Sequence, residues 1–272
     1  MAFKISGFGA SQKKEKRIAP VYEPYQQPLV PRKSLVQIRF PGKGMALTYY
    51  NDQFDLKPGD RVYVDGKLEG LLGRVMEVNY NFKIKVSDYK KVIAVVDTEV
   101  SGEFHMAGSH FVTFDAAALP MERIKLWFKA PEPEDEEVIC GSDDSSFLLS
   151  DLKGMNISGT IAERGHEYYL ENRVVYLCLD GTKGFAIVEG GNSYSVEFQY
   201  QNGEISHLIC DCPCACTCKH EFAAMLQLRE TLDLIEKHYS AQYARSDYFA
   251  AITKGTLFSF AIDGKETGSL IL

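Results

Sequence analysis

The sequence predicts a mainly β fold with some α-helix, made of a small β-barrel-like unit followed by a β-meander that runs into a helix. Three observations carry that prediction. Short runs of β-branched and aromatic residues recur between Gly, Asn and Asp turns in both halves of the chain. A proline-bearing acidic stretch separates the halves, and a run with helix-like apolar spacing follows a dense cluster of cysteines.

Residues 1–33 carry Lys13, Lys14, Lys16 and Arg17 among prolines and glutamines with little periodic apolarity, so they are expected to form a basic, disordered tail. Residues 34–129 have the pattern of an SH3-like or OB-like barrel. Residues 36–40 alternate apolar and polar, 45–50 are rich in strand formers, and the turn at 56–60 leads into a strand over 61–64. Residues 70–78 and 82–86 continue as strands around the turns Asp65-Gly66 and Asn79-Tyr80-Asn81. Strand material over 92–100 and 110–114 precedes residues 124–128. Residues 130–150 combine Pro131 and Pro133 with seven acidic side chains and no basic one, the composition of a self-repelling linker, and the domain boundary is placed there.

The second domain is expected over 151–240, with strands at 174–179, 184–189, 194–200 and 205–210. After them, Phe222, Met225, Leu226, Leu232 and Ile235 fall at helical offsets, so 221–237 is expected to be an amphipathic helix. Residues 241–272 form a C-terminal tail, in which 256–272 look like a hairpin around Asp263-Gly264.

At 272 residues, 45% hydrophobic and 25% charged, the chain has material for two packed domains. Its first residues lack the unbroken apolar core of a signal peptide, and no run reaches the roughly 18 apolar residues of a membrane span. A cytoplasmic protein is expected, or a nuclear one in a eukaryote, so its seven cysteines point to reduced thiols or metal thiolates. The net charge of -7 is unevenly spread. Residues 1–129 hold 20 basic and 14 acidic side chains, a net +6, whereas 151–237 hold 7 and 13, a net -6.

The chemistry concentrates in Cys210-Asp211-Cys212-Pro213-Cys214-Ala215-Cys216-Thr217-Cys218-Lys219-His220, which puts six soft or borderline ligands into eleven positions. Zinc takes four such ligands in a tetrahedron. A strand ending on Cys210 and Cys212 presents both thiols on one side, because the strand period is two. Pro213 ends the pairing, and Cys218 with His220 returns at the start of the helix to complete the set.

This Cys-x-Cys, loop, Cys-x-His arrangement, with proline after the second cysteine and a helix opening on Lys-His, resembles the SWIM zinc finger. Residues 162–174 are similar to the segment preceding the β-meander in that family, and the resemblance covers about residues 155–230. Family members occur with bacterial Swi/Snf-type helicases, in Mutator-type transposases and as free-standing bacterial proteins, and the motif is credited with binding DNA or protein. The resemblance implies one zinc on Cys210, Cys212, Cys218 and His220.

The two cysteines inside the loop leave alternatives open. A tetrad such as Cys212, Cys214, Cys218 and His220 is chemically feasible, and Cys214 and Cys216 are otherwise spectators or a redox-responsive pair. His207 competes poorly with the Cys-x-His spacing of His220. His105, His110, His166 and His238 read as surface or core histidines, and Cys178 reads as packing within an apolar run.

No catalytic residue is assigned. His220-Glu221-Phe222-Ala223-Ala224 has alanine where a zinc protease needs its second histidine, and a closed four-ligand site is structural. The expected function is a zinc-binding, non-catalytic module that contacts protein partners, with no membrane and no small-molecule substrate. The alternative is a nucleic-acid-binding factor that adds the basic barrel, where Lys83, Lys85, Lys90 and Lys91 accompany Tyr80 and Phe82.

Overall fold

The computed structural model of the chain describes residues 31–131, 141, 145–214 and 216–262. Most of the expected tail and linker, together with Cys140, Ala215 and the Asp263-Gly264 turn, lies outside the described residues. Among those described, thirteen strands and five α-helices form two antiparallel sheets with helices packed against them, a mainly β protein with some α.

The first sheet contains β1 (Ser34–Arg39), β2 (Leu47–Asn51), β3 (Arg61–Val64), β4 (Gly73–Asn79) and β5 (Val92–Val96), in the order β2-β1-β4-β3-β5. Alternation in β1 turns Val36 and Ile38 inward, where they meet Val62, Val64, Val75 and Val92. The two edge strands touch at a single bridge, Tyr50 to Lys91, so the sheet curls towards a barrel without closing. The strand expected at 82–86 is not one. The segment pairs with no strand and ends in a 3-10 turn, Val86–Asp88, because it runs on past the point where β1 begins.

The second sheet has eight strands in the order β6-β7-β13-β9-β10-β11-β12-β8. They are β6 (His105–Ala107), β7 (His110–Thr113), β8 (Ser146–Leu148), β9 (Val174–Asp180), β10 (Lys183–Glu189), β11 (Ser193–Gln201), β12 (Glu204–Cys210) and β13 (Tyr248–Thr253). Its membership corrects the expected division at 130–150. Strands β6 and β7 precede that stretch, yet they join the later strands through β13, which pairs with β7 on one side and β9 on the other. All six residues of β13 are buried, so the apolar gain of seating them at the sheet centre outweighs the chain-closure cost of a long connection.

The helices are α1 (Met121–Phe128), α2 (Gly159–Leu170), α3 (Lys219–His238), α4 (Ser240–Ser246) and α5 (Lys254–Ala261). The last of these corrects the expected hairpin, whose first half is helical. Thr253 caps α5, its side chain accepting from the Thr256 N–H at 3.4 Å, and Leu257 and Ala261 drop into the core four residues apart. Ser158 caps α2 in the same way, accepting from the Ile161 N–H.

One face of the large sheet packs on α3 through Leu177, Leu179, Ala186, Val196 and Phe249, which meet Ala224, Met225 and Leu228. The other face carries Tyr176, Phe185, Ile187 and Ile252, which pack with Trp127 of α1, Leu257 of α5 and Tyr63 and Val96 of the first sheet. Gly165 lets α2 and α3 approach, since a Cβ there would come within 2.8 Å of the Lys219 carbonyl oxygen and 2.9 Å of the Phe222 ring. Among the described residues no helix is long and apolar enough to cross a membrane.

Candidate metal centre

Strand β12 pairs with β11 as far as Cys210, opposite Val196. Asp211 extends the pairing, since its N–H donates to the Ser195 carbonyl at 3.1 Å and its carboxylate accepts from the Ser195 N–H at 2.9 Å. Asp211 also forms an ion pair with Lys129, just beyond α1. The chain then turns at Cys212-Pro213 and comes back to Cys218, the N-cap of α3.

The N-cap is a capping box made with a cysteine. The Cys218 sulfur accepts from the Glu221 N–H, while the Glu221 carboxylate accepts from the Cys218 N–H at 2.7 Å. The Glu221 carboxylate is buried at the helix start, with the backbone of Cys210 at the strand end beside it.

These elements gather one ligand atom each from Cys210, Cys212, Cys218 and His220, all within 4.8 Å of one another. His220 Nδ1 lies 3.8 Å from Cys210 Sγ and 3.6 Å from Cys218 Sγ. Tetrahedral arms of ~2.3 Å to sulfur and ~2.0 Å to nitrogen put the S···N edge at ~3.5 Å, close to those separations. Cys212, Cys218 and His220 are buried at 8%, 3% and 4% exposure, while Cys210 is half-buried. The group can hold a metal ion.

Compared with known proteins, the chain matches no family model, and no curated protein or solved structure matches it significantly.

The imidazole is held on both sides. Tyr194 of β11 stacks on it with centroids 4.3 Å apart, and Tyr168 of α2 meets it edge-on at 5.5 Å. With Nδ1 turned to the sulfurs, Nε2 is buried and finds no hydrogen-bond partner among the described residues. Gly190 opens onto that nitrogen, because a Cβ there would lie 3.5 Å from His220 Nε2 and 3.4 Å from the Tyr168 hydroxyl. Three thiolates and a neutral imidazole would leave a dication site at about one negative charge. Two cations flank it, Lys219 at 4.5 Å and Arg173 at 4.8 Å from the Tyr168 ring centroid.

The thiols share protons unevenly. Hydrogen bonding from Cys210, with further bonds from His220 and the Glu221 N–H, pushes the Cys218 thiol well below its usual value, and the same shared bond raises Cys210. Burial pushes the Cys212 thiol up. Burial and then the neighbouring Cys218 charge push Glu221 up to about 7. A divalent cation in the middle would stabilise all three thiolates.

The remaining candidates fall outside the group. Cys214 and Cys216 are exposed, and His207 is exposed with φ at +50° in the irregular part of β12. His110 is a core histidine, bonded to the Val174 carbonyl oxygen at 2.8 Å and to Ser109 Oγ at 3.0 Å. Cys178 is buried, and desolvation pushes its thiol up to about 11, which leaves it unreactive. Of the four lysines considered for nucleic acid, Lys83, Lys85 and Lys90 are exposed, whereas Lys91 is half-buried and ion-paired with Asp52 at 2.9 Å. Sequence reasoning missed Glu221, Tyr168 and Tyr194. Glu221 alone had a local signal, its place three residues after Cys218.

Proposed function

We propose that the protein is a zinc-binding, non-catalytic interaction module, in which zinc on Cys210, Cys212, Cys218 and His220 joins the end of β12 to the start of α3 and fixes a surface for a protein partner. The observation that carries this reading is the convergence of three thiols and one imidazole nitrogen within 4.8 Å. A thiolate-rich tetrahedral set suits zinc over magnesium, calcium or manganese, which favour oxygen ligands. Four protein ligands leave no open position for substrate or water, which supports a structural role over a catalytic one. The Cys-x-Cys and Cys-x-His pairs are those of the SWIM-type chelate, and SWIM membership is part of this proposal. Thiolate ligands suit a reducing compartment, cytoplasmic or nuclear. The net -6 of residues 151–237 disfavours phosphate contacts by the zinc half and favours a protein surface.

Cobalt(II) exchange tests the reading. The cobalt-loaded protein should show the intense visible absorption of tetrahedral cobalt with thiolate charge-transfer bands, and Cys218→Ser should shift both. Weak, octahedral-type absorption would overturn it. Affinity purification from the native host should retain a protein partner after nuclease treatment; loss of every partner would move the reading to nucleic acid.

A further inference from the structure

The fold brings two separate basic segments to one end of the five-stranded sheet. Leu35 at the start of β1 pairs with Asn79 at the end of β4 and with Tyr50 of β2, and the Tyr50 N–H donates to the Lys90 carbonyl at 2.9 Å. Arg32 and Lys33, just before β1, are thereby placed beside the segment carrying Lys83, Lys85 and Lys90. Contacts confirm the arrangement. The Arg32 guanidinium lies over the Tyr80 ring at 4.3 Å, and Phe82 meets Tyr50 edge-on at 6.3 Å.

All five cations are exposed, and none has an ion pair among the described residues. Neighbouring carboxylates are turned to internal use. Asp52 pairs with Lys91, and Asp65 accepts from the Lys91 N–H at 2.5 Å. Between residues 80 and 91 the one acidic side chain is Asp88. Positive charge therefore faces outward, with Tyr80 and Phe82 half-exposed among the lysines.

We propose that this end of the sheet binds single-stranded nucleic acid, with Arg32, Lys33, Lys83, Lys85 and Lys90 on the phosphates and the Tyr80 ring against a base. Cations alone would fit any polyanion, but rings interleaved with cations match a strand that offers a phosphate and a π face at each step. Duplex recognition through the major groove uses a helix or a two-stranded ribbon, and residues 80–85 form neither. The surface is separate from the metal centre, so the inference does not rest on zinc.

The test uses the full-length protein, with fluorescence anisotropy of a labelled oligothymidylate and of a labelled polyglutamate peptide. The oligonucleotide should bind more tightly than the peptide. The triple variant Lys83→Glu, Lys85→Glu, Lys90→Glu should weaken binding and lower the slope of log affinity against log salt by about 2, at ~0.7 for each lost phosphate contact on a single strand. Tyr80→Ala should weaken oligonucleotide binding about tenfold, the scale of one lost base stack, and leave peptide binding unchanged. Metal content and melting temperature of each variant would show that the fold and the metal centre are intact. Absence of oligonucleotide binding, unchanged affinity after charge reversal, or equal affinity for polyglutamate would overturn the proposal, the last in favour of an acidic protein.

Discussion

Strand β9 buries six of its seven residues, whereas β12, three places along in the same sheet, buries only Ile205. Val174, Leu177 and Leu179 of β9 join the core under α3, while Val175, Tyr176 and Cys178 join the core on the opposite face. At about 1.5–3 kcal/mol for each fully buried aliphatic side chain, apolar burial alone anchors that strand. At the β12 end the apolar surface runs out, and the chain there carries a Cys3His group joined to the helix. A metal held by those four ligands would supply at a margin the cohesion that burial supplies at the centre, on the order of 10 kcal/mol in isolated zinc-finger peptides.

The largest expected effect comes from removing a ligand. Cys218→Ala or His220→Ala should abolish metal binding and strip hydrogen-exchange protection from residues 207–222. The rest of α3 should hold, because Ala224, Met225, Leu228 and Ile235 are buried independently of the site. Equal loss of protection in β9 would break the contrast between the strands. Leu177→Ala should do the opposite, costing about 3 kcal/mol in denaturant unfolding through the cavity it leaves while metal content stays unchanged.

Next comes the buried carboxylate of the capping box. Glu221→Ala would leave the buried Cys218 N–H without its acceptor, a cost of about 2 kcal/mol. Competition against a chromophoric chelator should show metal affinity about 10–100-fold weaker. If affinity is unchanged, Glu221 is only a helix cap.

A smaller effect concerns pH. Burial holds the His110 imidazole below its usual value of 6.5, so the folded state keeps the ring neutral when the unfolded chain takes up a proton. Its contribution is complete above about 6.5 and is lost as pH falls from there towards the lowered folded value, flattening below it. The melting-temperature drop between pH 7.5 and 5 should be smaller in His110→Gln than in the parent; an equal drop would place the acid sensitivity elsewhere. Least of all, Cys214→Ser and Cys216→Ser should change stability by under about 0.5 kcal/mol and leave metal content alone, since both thiols are exposed.

The Cys3His group was legible because its residues are close in sequence and the strand and helix periods place their side chains. The β11–β12 hairpin and α3 were legible for the same local reasons. Other features depended on distant partners. Residues 82–86 alternate like a strand, but register leaves them nothing to pair with. Helix α2 was masked by Gly159 and Gly165, poor helix formers in isolation, and Gly165 is explained only by the close approach of α3. Strand β13 is a plain apolar run, and nothing in it says that it will bridge β7 to β9. The juxtaposition of Arg32 with Tyr80 likewise follows from β1–β4 register alone.

The central claim is that Cys210, Cys212, Cys218 and His220 form a single occupied zinc site. Elemental analysis of the full-length protein, purified without added metal or chelator, tests it directly. One zinc per chain is predicted, falling to none in His220→Ala and staying at one in the Cys214→Ser, Cys216→Ser double variant. Iron in place of zinc, no metal, or zinc that follows Cys214 and Cys216 would contradict it.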